Sequence, residues 1–156
     1  MAFLQVSRKV DYALRAVIHL ANQEVQGRAC SVAEIAAGER IPRQFLEKIV
    51  QQLIHTGLVR SRRGPRGGYV LGRAADRMTF RDVIEAVEGP ISLNVCVGEH
   101  PDCYLLGACG MNRVWAEGQR RVMDLFENTT IAAVCRPVAP VPGGSDGAEF
   151  RSQEAV

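Results

Sequence analysis

The strongest constraint on how this chain can fold is the change of hydrophobic period at Gly57. Before it, "IPRQFLEKIVQQLIHTG" repeats apolar side chains at Phe45, Leu46, Ile49, Val50, Leu53 and Ile54, the stripe of an amphipathic helix whose core-facing members are Phe45, Leu46, Ile49 and Val50. Pro42 falls in the first turn, where no N–H is needed, and Gly57 supplies the stop. After it, "LVRSRRGPRGGYVLGR" reads as two short strands, 58–61 and 68–71, joined by a tip of Arg62, Arg63, Gly64, Pro65, Arg66 and Gly67. A helix that runs through one glycine into an arginine-tipped hairpin is compatible with few architectures.

The flanking segments narrow the choice. "SRKVDYALRAVIHLANQ" carries Val10, Leu14, Val17, Ile18 and Ala21 at helical spacing and predicts a first helix over 7–23. "SVAEIAA" opens with Ser31 and has Glu34 three residues on, a capping box, so a short second helix should begin there and stop near Gly38. "MTFRDVIEAVEG" repeats that arrangement with Thr79 and Asp82 ahead of Val83, Ile84 and Val87. Helix, helix, turn, helix and basic hairpin is the order of a winged helix-turn-helix, in which the third helix enters the major groove and the wing reaches a minor groove or the backbone. The expected fold class is mainly α with a small β-hairpin wing, extended by a long C-terminal helix.

The charge distribution agrees. The net +2 conceals fourteen basic against nine acidic residues in 1–88, and five against eight in 89–156. From Arg43 to Arg73 the basic residues are Arg43, Lys48, Arg60, Arg62, Arg63, Arg66 and Arg73, with Glu47 the lone acid. The N-terminal half is therefore the one expected to meet a polyanion. No apolar run reaches the roughly 20 residues of a membrane span, and the N-terminus lacks the pattern of a signal peptide, so a cytoplasmic protein is expected. In a reducing compartment its five cysteines are metal ligands, redox sensors or buried apolar residues before they are disulfides.

Three of the five lie close together. "NVCVGEHPDCYLLGACGMNRVW" holds Cys96, Cys103 and Cys109 at spacings of six and five intervening residues, too wide for the C-x2-C knuckles of a zinc ribbon. Beyond them, "NRVWAEGQRRVMDLFENTTIAAV" places Val114, Trp115, Val122, Leu125 and Phe126 at helical spacing, an apolar face with no remaining domain to cover. Such a helix is expected to pair with a second copy of itself, and a two-fold dimer suits a palindromic site. The expected organisation is a winged helix-turn-helix domain over 1–88, a cysteine-rich loop over 89–111, a dimerisation helix and return segment over 112–135, and a disordered tail, rich in Pro and Gly, over 136–156.

Taken together, "DYALRAVIHLA", "FLEKIVQQLIHTGLVRSRRGPRGGYVLGR" and "TFRDVIEAVEG", followed by three clustered cysteines and a long helix, resemble the Rrf-two family of regulators, specifically its IscR and NsrR type, over roughly residues 5–134. The resemblance implies a homodimeric winged-helix protein that carries an iron-sulfur cluster, 4Fe-4S or 2Fe-2S, between the DNA-binding domain and the dimerisation helix. It implies Cys96, Cys103 and Cys109 as cluster ligands, and soft thiolates on a glycine-containing loop suit that role. IscR-like proteins add a histidine three residues after the last cysteine, where this chain has Asn112. NsrR-like proteins use an aspartate before the tyrosine of the first helix, contributed by the partner subunit; here that is Asp11, with His100 in the loop as a rival. The first cysteine spacing is one residue longer than the family's usual one. Cys30 and Cys135 are expected to be ordinary thiols.

On double-stranded operator DNA, the third helix would offer Arg43 to guanine, Gln44 to adenine and Glu47 to cytosine, with Lys48 on phosphate. Arg62, Arg63 and Arg66 would enter or flank the minor groove, and Arg60 would serve a phosphate or a local carboxylate. The function expected is a cluster-dependent transcription regulator that senses nitric oxide, iron or redox state. The alternative is a cluster-free or zinc-stabilised regulator acting through a protein partner or thiol oxidation. No nucleophile-base pair or phosphate-binding loop points to an enzyme.

Overall fold

The computed structural model describes residues 5–106 and 108–135. The expected disordered tail lies outside the described residues.

Ser7 caps α1 (Arg8–Glu24), its hydroxyl accepting the Val10 N–H at 3.2 Å. Val10, Val17 and Leu20 form the buried stripe with Ala13, Ala16 and Ala21, whose small side chains let neighbouring elements approach closely. The second helix, α2 (Val32–Glu39), begins at the capping box read from the sequence: Glu34 N–H donates to Ser31 Oγ at 3.2 Å, and Ser31 N–H to Glu34 Oε2 at 2.7 Å. The helix stops near Gly38 as expected, one residue on at Glu39, and Gly38 lies in its last turn, where it makes room for His19 of α1. A Cβ at Gly38 would stand 2.8 Å from His19 Cε1. His19 Nδ1 in turn meets Glu39 Oε1 at 2.9 Å, and Arg40, with φ of 53°, turns the chain.

Pro42 leads into α3 (Arg43–His55), which buries Leu46, Ile49, Val50 and Leu53. Phe45, expected in the core, is 63% exposed; it lies about a quarter turn from the centre of the buried stripe. The wing follows as β1 (Val59–Arg62) and β2 (Gly68–Leu71), antiparallel in the register Val59↔Leu71 to Arg62↔Gly68. Arg62 thus ends a strand and does not belong to the tip. Tyr69 also exchanges backbone hydrogen bonds with Cys30, at 3.0 and 2.7 Å, so the segment ahead of α2 runs beside the wing as a short third rung. Gly68 makes this approach possible, since a Cβ there would lie 2.7 Å from the Cys30 backbone.

A second capping box starts α4 (Phe80–Glu88), with Thr79 N–H on Asp82 Oδ2 at 2.8 Å and Asp82 N–H on Thr79 Oγ1 at 3.1 Å. Leu20, Ile35, Leu46, Leu53, Leu71, Met78 and Val83 share one core between these elements. Each such side chain contributes about 1.5–3 kcal/mol on full burial.

The long helix α5 (Asn112–Asn128) has no fully buried residue, but its apolar face is not left without a domain to cover, as the sequence suggested. The ring of Phe126 packs on that of Phe80, and the chain then turns back at Thr129 into α6 (Ile131–Cys135). Phe80 N–H donates to Thr129 O at 2.9 Å, Ile131 N–H donates to Met78 O at 2.7 Å, and Ile131 enters the core. Val114 and Leu125, 72% and 63% exposed, remain on the open side. Among the described residues, no helix is long and apolar enough to cross a membrane.

Candidate DNA interface and cysteine pocket

The exposed face of α3 and the base of the wing enclose an open groove of about 930 Å³. Arg43, Gln44, Glu47, Lys48 and Gln51 form one wall, Ser61, Arg62, Gly68 and Tyr69 the other, and Ser31, Val32 and Ala33 at the start of α2 close one end. Of the site residues expected from sequence, Arg43, Gln44, Glu47, Lys48 and Arg62 meet here. Gln51, Ser61 and Tyr69 were missed. Gln51 could have been found, because it stands three residues beyond Lys48 and four beyond Glu47 on the same helical face; Tyr69 and Ser61 face each other only through the hairpin register. Within the groove, Arg43 Nε bonds Glu47 Oε1 at 2.9 Å, an exposed ion pair that a ligand can exchange at little cost.

The wing arginines have separate surroundings. Arg62 donates from Nη1 to Gly27 O at 3.2 Å and from Nη2 to Arg66 O at 3.3 Å, which ties the wing to the turn between α1 and α2. Arg60 donates from Nε to Leu71 O at 3.2 Å, a backbone partner within the hairpin. Arg66 lines a second, polar pocket of about 410 Å³ together with Arg28 and Arg62. Arg63 is exposed on the tip.

The three clustered cysteines come together. Cys96, Cys103 and Cys109 line one small pocket of about 90 Å³, walled by Leu105, Leu106, Met111 and Trp115 and edged by Asn94 and Asn112. Three soft sulfur donors along one apolar wall are a donor set that an iron-sulfur group takes, and the wall is open to solvent at Leu105, Leu106 and Met111, which are 41%, 50% and 64% exposed. Among the described residues, no set of three or more His, Cys, Asp or Glu side chains is gathered tightly enough to hold a single metal ion, so the thiols share a wall without forming a preassembled site. Neither Asp11 nor His100 lines that pocket. Asp11 is exposed on α1 and pairs with Arg15 at 3.4 Å, and Arg15 also reaches Glu39 at 3.5 Å. Cys30 is buried and Cys135 half-buried, and burial pushes both thiols up, which keeps them protonated.

Comparison with known proteins agrees with this architecture. Residues 6–137 match a family described as "Rrf2: Iron-dependent Transcriptional regulator". A Mycobacterium tuberculosis protein described as an HTH-type transcriptional regulator is 30% identical over 155 residues, spanning 98% of this chain and 94% of its own. An Aquifex aeolicus protein of the same description is 35% identical over 127 residues, 80% of this chain and 87% of its own. Among solved structures, CymR, the global cysteine regulator of B. subtilis, superposes with a TM-score of 0.70 at 30% identity, covering 85% of this chain and 96% of CymR. T. potens IscR superposes with a TM-score of 0.71 at 24% identity, covering 92% of this chain and 94% of its own, a likeness of fold. These relatives are regulators and not enzymes. The helix-turn-helix, the hairpin wing and the match over nearly the whole described chain lead to one conclusion: the protein belongs to the Rrf2 (Rrf-two) family of DNA-binding transcriptional regulators.

Proposed function

We propose that the protein reads a palindromic operator as a homodimer, and that an iron-sulfur cluster held by Cys96, Cys103 and Cys109 sets its affinity for that DNA. One observation carries the reading: three cysteines spread over fourteen residues line the same apolar pocket, at the base of α5. When bound, the cluster supplies an electron-accepting and nitric-oxide-reactive iron centre. Asp11 of the partner subunit completes the ligand set, and its exposure on α1 leaves it accessible to a second chain. Arg43, Gln44 and Glu47 address base edges in the major groove, and Lys48 meets phosphate. Arg62, Arg63 and Arg66 address the minor groove and its flanking phosphates. Val114 and Leu125, exposed on the open side of α5, pack against the second copy.

A second reading, direct thiol sensing without a cluster, draws on the 30% identity to CymR, named a global cysteine regulator. Anaerobic purification followed by iron and sulfide counting and absorption spectroscopy separates the two. The cluster reading expects brown protein that Cys96→Ala, Cys103→Ala and Cys109→Ala each bleach, and that Cys30→Ala and Cys135→Ala do not. Colourless or zinc-loaded protein under those conditions contradicts it. Sedimentation should give a dimer for the parent and a monomer for Leu125→Glu; a monomeric parent at micromolar concentration contradicts the assembly.

A further inference from the structure

Asn112, Trp115 and Gln119 recur at i, i+3 and i+7 along α5 and so share one face of it. That face holds the cysteine loop by its backbone. Gln119 grips the approach to the first cysteine twice: its Oε1 accepts the Leu93 N–H at 2.9 Å, and its Nε2 donates to Ile91 O at 2.7 Å. Leu93 lies beside Gly118 of the same helix, its Cδ1 3.4 Å from where a Cβ would stand. Two turns nearer the helix start, Asn112 Nδ2 donates to the carbonyl of Cys96 at 3.3 Å, and the Asn112 N–H donates to the carbonyl of Cys109 at 3.2 Å. One residue therefore joins the backbones of the first and last clustered cysteines. Trp115, between the two carboxamides, supplies the pocket wall.

We propose that Asn112 and Gln119 are positioning residues of the cysteine pocket: Asn112 pins Cys96 to Cys109, and Gln119 fixes the segment that delivers Cys96. The residue three positions beyond the last cysteine serves loop geometry in this chain and does not coordinate. A side-chain amide suits the task, because it presents a donor and an acceptor in one plane and can satisfy an N–H and a C=O of the same extended segment. With the loop held in this way, the thiols stay near one another before any ligand arrives, so less ordering remains to be done on binding. The significance for iron rests on the cluster reading above, but the clasp belongs to the chain alone.

The test uses the full-length, iron-free protein under anaerobic conditions and follows two signals, hydrogen exchange of the Leu93 amide and the alkylation rate of each cysteine with iodoacetamide. Gln119→Ala should speed Leu93 exchange about fivefold to tenfold, the effect of losing one satisfied hydrogen bond. Gln119→Glu keeps the acceptor and should leave Leu93 slow, a rescue that a role in general stability would not produce. Asn112→Ala and Asn112→Asp both remove the donor to Cys96 and should raise Cys96 alkylation relative to Cys109, with Cys30 unchanged as the sign that the core is intact. Equal Leu93 exchange in Gln119→Ala and parent, or equal Cys96 alkylation in Asn112→Asp and parent, overturns the proposal. A protein that binds no iron yet shows these shifts removes the cluster reading and keeps the clasp; a cluster protein without them removes the clasp alone.

Discussion

Phe126, near the end of α5, stacks on Phe80, the first residue of α4, with ring centroids 6.3 Å apart and planes inclined by 27°. Beside them Arg81 reaches Glu127 at 3.4 Å, and the backbone bond from Phe80 to Thr129 closes the same corner. The far end of α5 is thus moored to the DNA-binding domain at Phe126, while its near end carries the cysteine pocket at Asn112 and Trp115, about 17–21 Å away along the helix. A change in the pocket acts at one end of a rod that is fixed at the other.

Removing the stack should loosen the mooring. Phe126→Ala is expected to lower stability by about 1–3 kcal/mol, below the range for a fully buried phenylalanine because Phe126 is half-buried. Urea unfolding measures it, and an unchanged midpoint would show that the corner is held by the backbone alone.

The wing arginines should differ in kind. Arg63→Ala and Arg66→Ala remove a charge from DNA and should each lower the slope of log affinity against log salt by about 1. Arg62→Ala also releases Gly27 and the Arg66 carbonyl, so it should cost more affinity than either. Anisotropy titrations at several salt concentrations check this; an Arg62→Ala protein no weaker than Arg66→Ala would deny Arg62 its bracing role.

Much of this arrangement was legible in the sequence, for local reasons. Ser31 with Glu34 and Thr79 with Asp82 announce helix starts because both partners lie within one turn. Gly57, with φ of 76°, ends α3 where the period changes. What was not legible depends on contacts distant in the chain. The fit of Gly38 against His19, and the place of Arg62 opposite Gly68 in a hairpin that also pairs with Cys30, cannot be read from neighbouring residues. The return of the chain after α5 includes two backbone bonds, Phe80 to Thr129 and Ile131 to Met78, that leave no trace in residue type. At the cysteine loop, the density of soft ligands marked a candidate site, and the structure lines one pocket with all three thiols. The hold exerted by Asn112 and Gln119 was invisible, since an amide in an amphipathic helix looks like any solvated residue.

Acid should weaken the fold through its capping carboxylates. Burial raises the Asp82 carboxyl, but the Thr79 N–H and hydroxyl and the Arg73 guanidinium outweigh it, so the net direction is down. Hydrogen bonds from the Ser31 backbone and hydroxyl likewise hold Glu34 below the usual carboxylate range. For a group whose folded value lies below its unfolded one, the stabilisation is present above the unfolded value, about 4, and is lost as pH falls through the folded one. The difference in thermal midpoint between parent and Asp82→Asn should therefore be full near neutrality and shrink below about pH 4. A difference independent of pH would contradict the assignment.

Occupancy of the cysteine pocket is expected to control DNA binding. Two recognition helices on a palindrome must stand about 34 Å apart, so a small rotation per subunit suffices to misplace them. A tenfold change in affinity requires only about 1.4 kcal/mol of differential binding between the two states. The most direct measurement is anaerobic fluorescence anisotropy on a selected operator, with iron-sulfur-loaded and cluster-free protein at matched salt. The expected result is a difference of about tenfold or more that Cys96→Ala, Cys103→Ala and Cys109→Ala abolish; equal affinities of the loaded and cluster-free protein would contradict it.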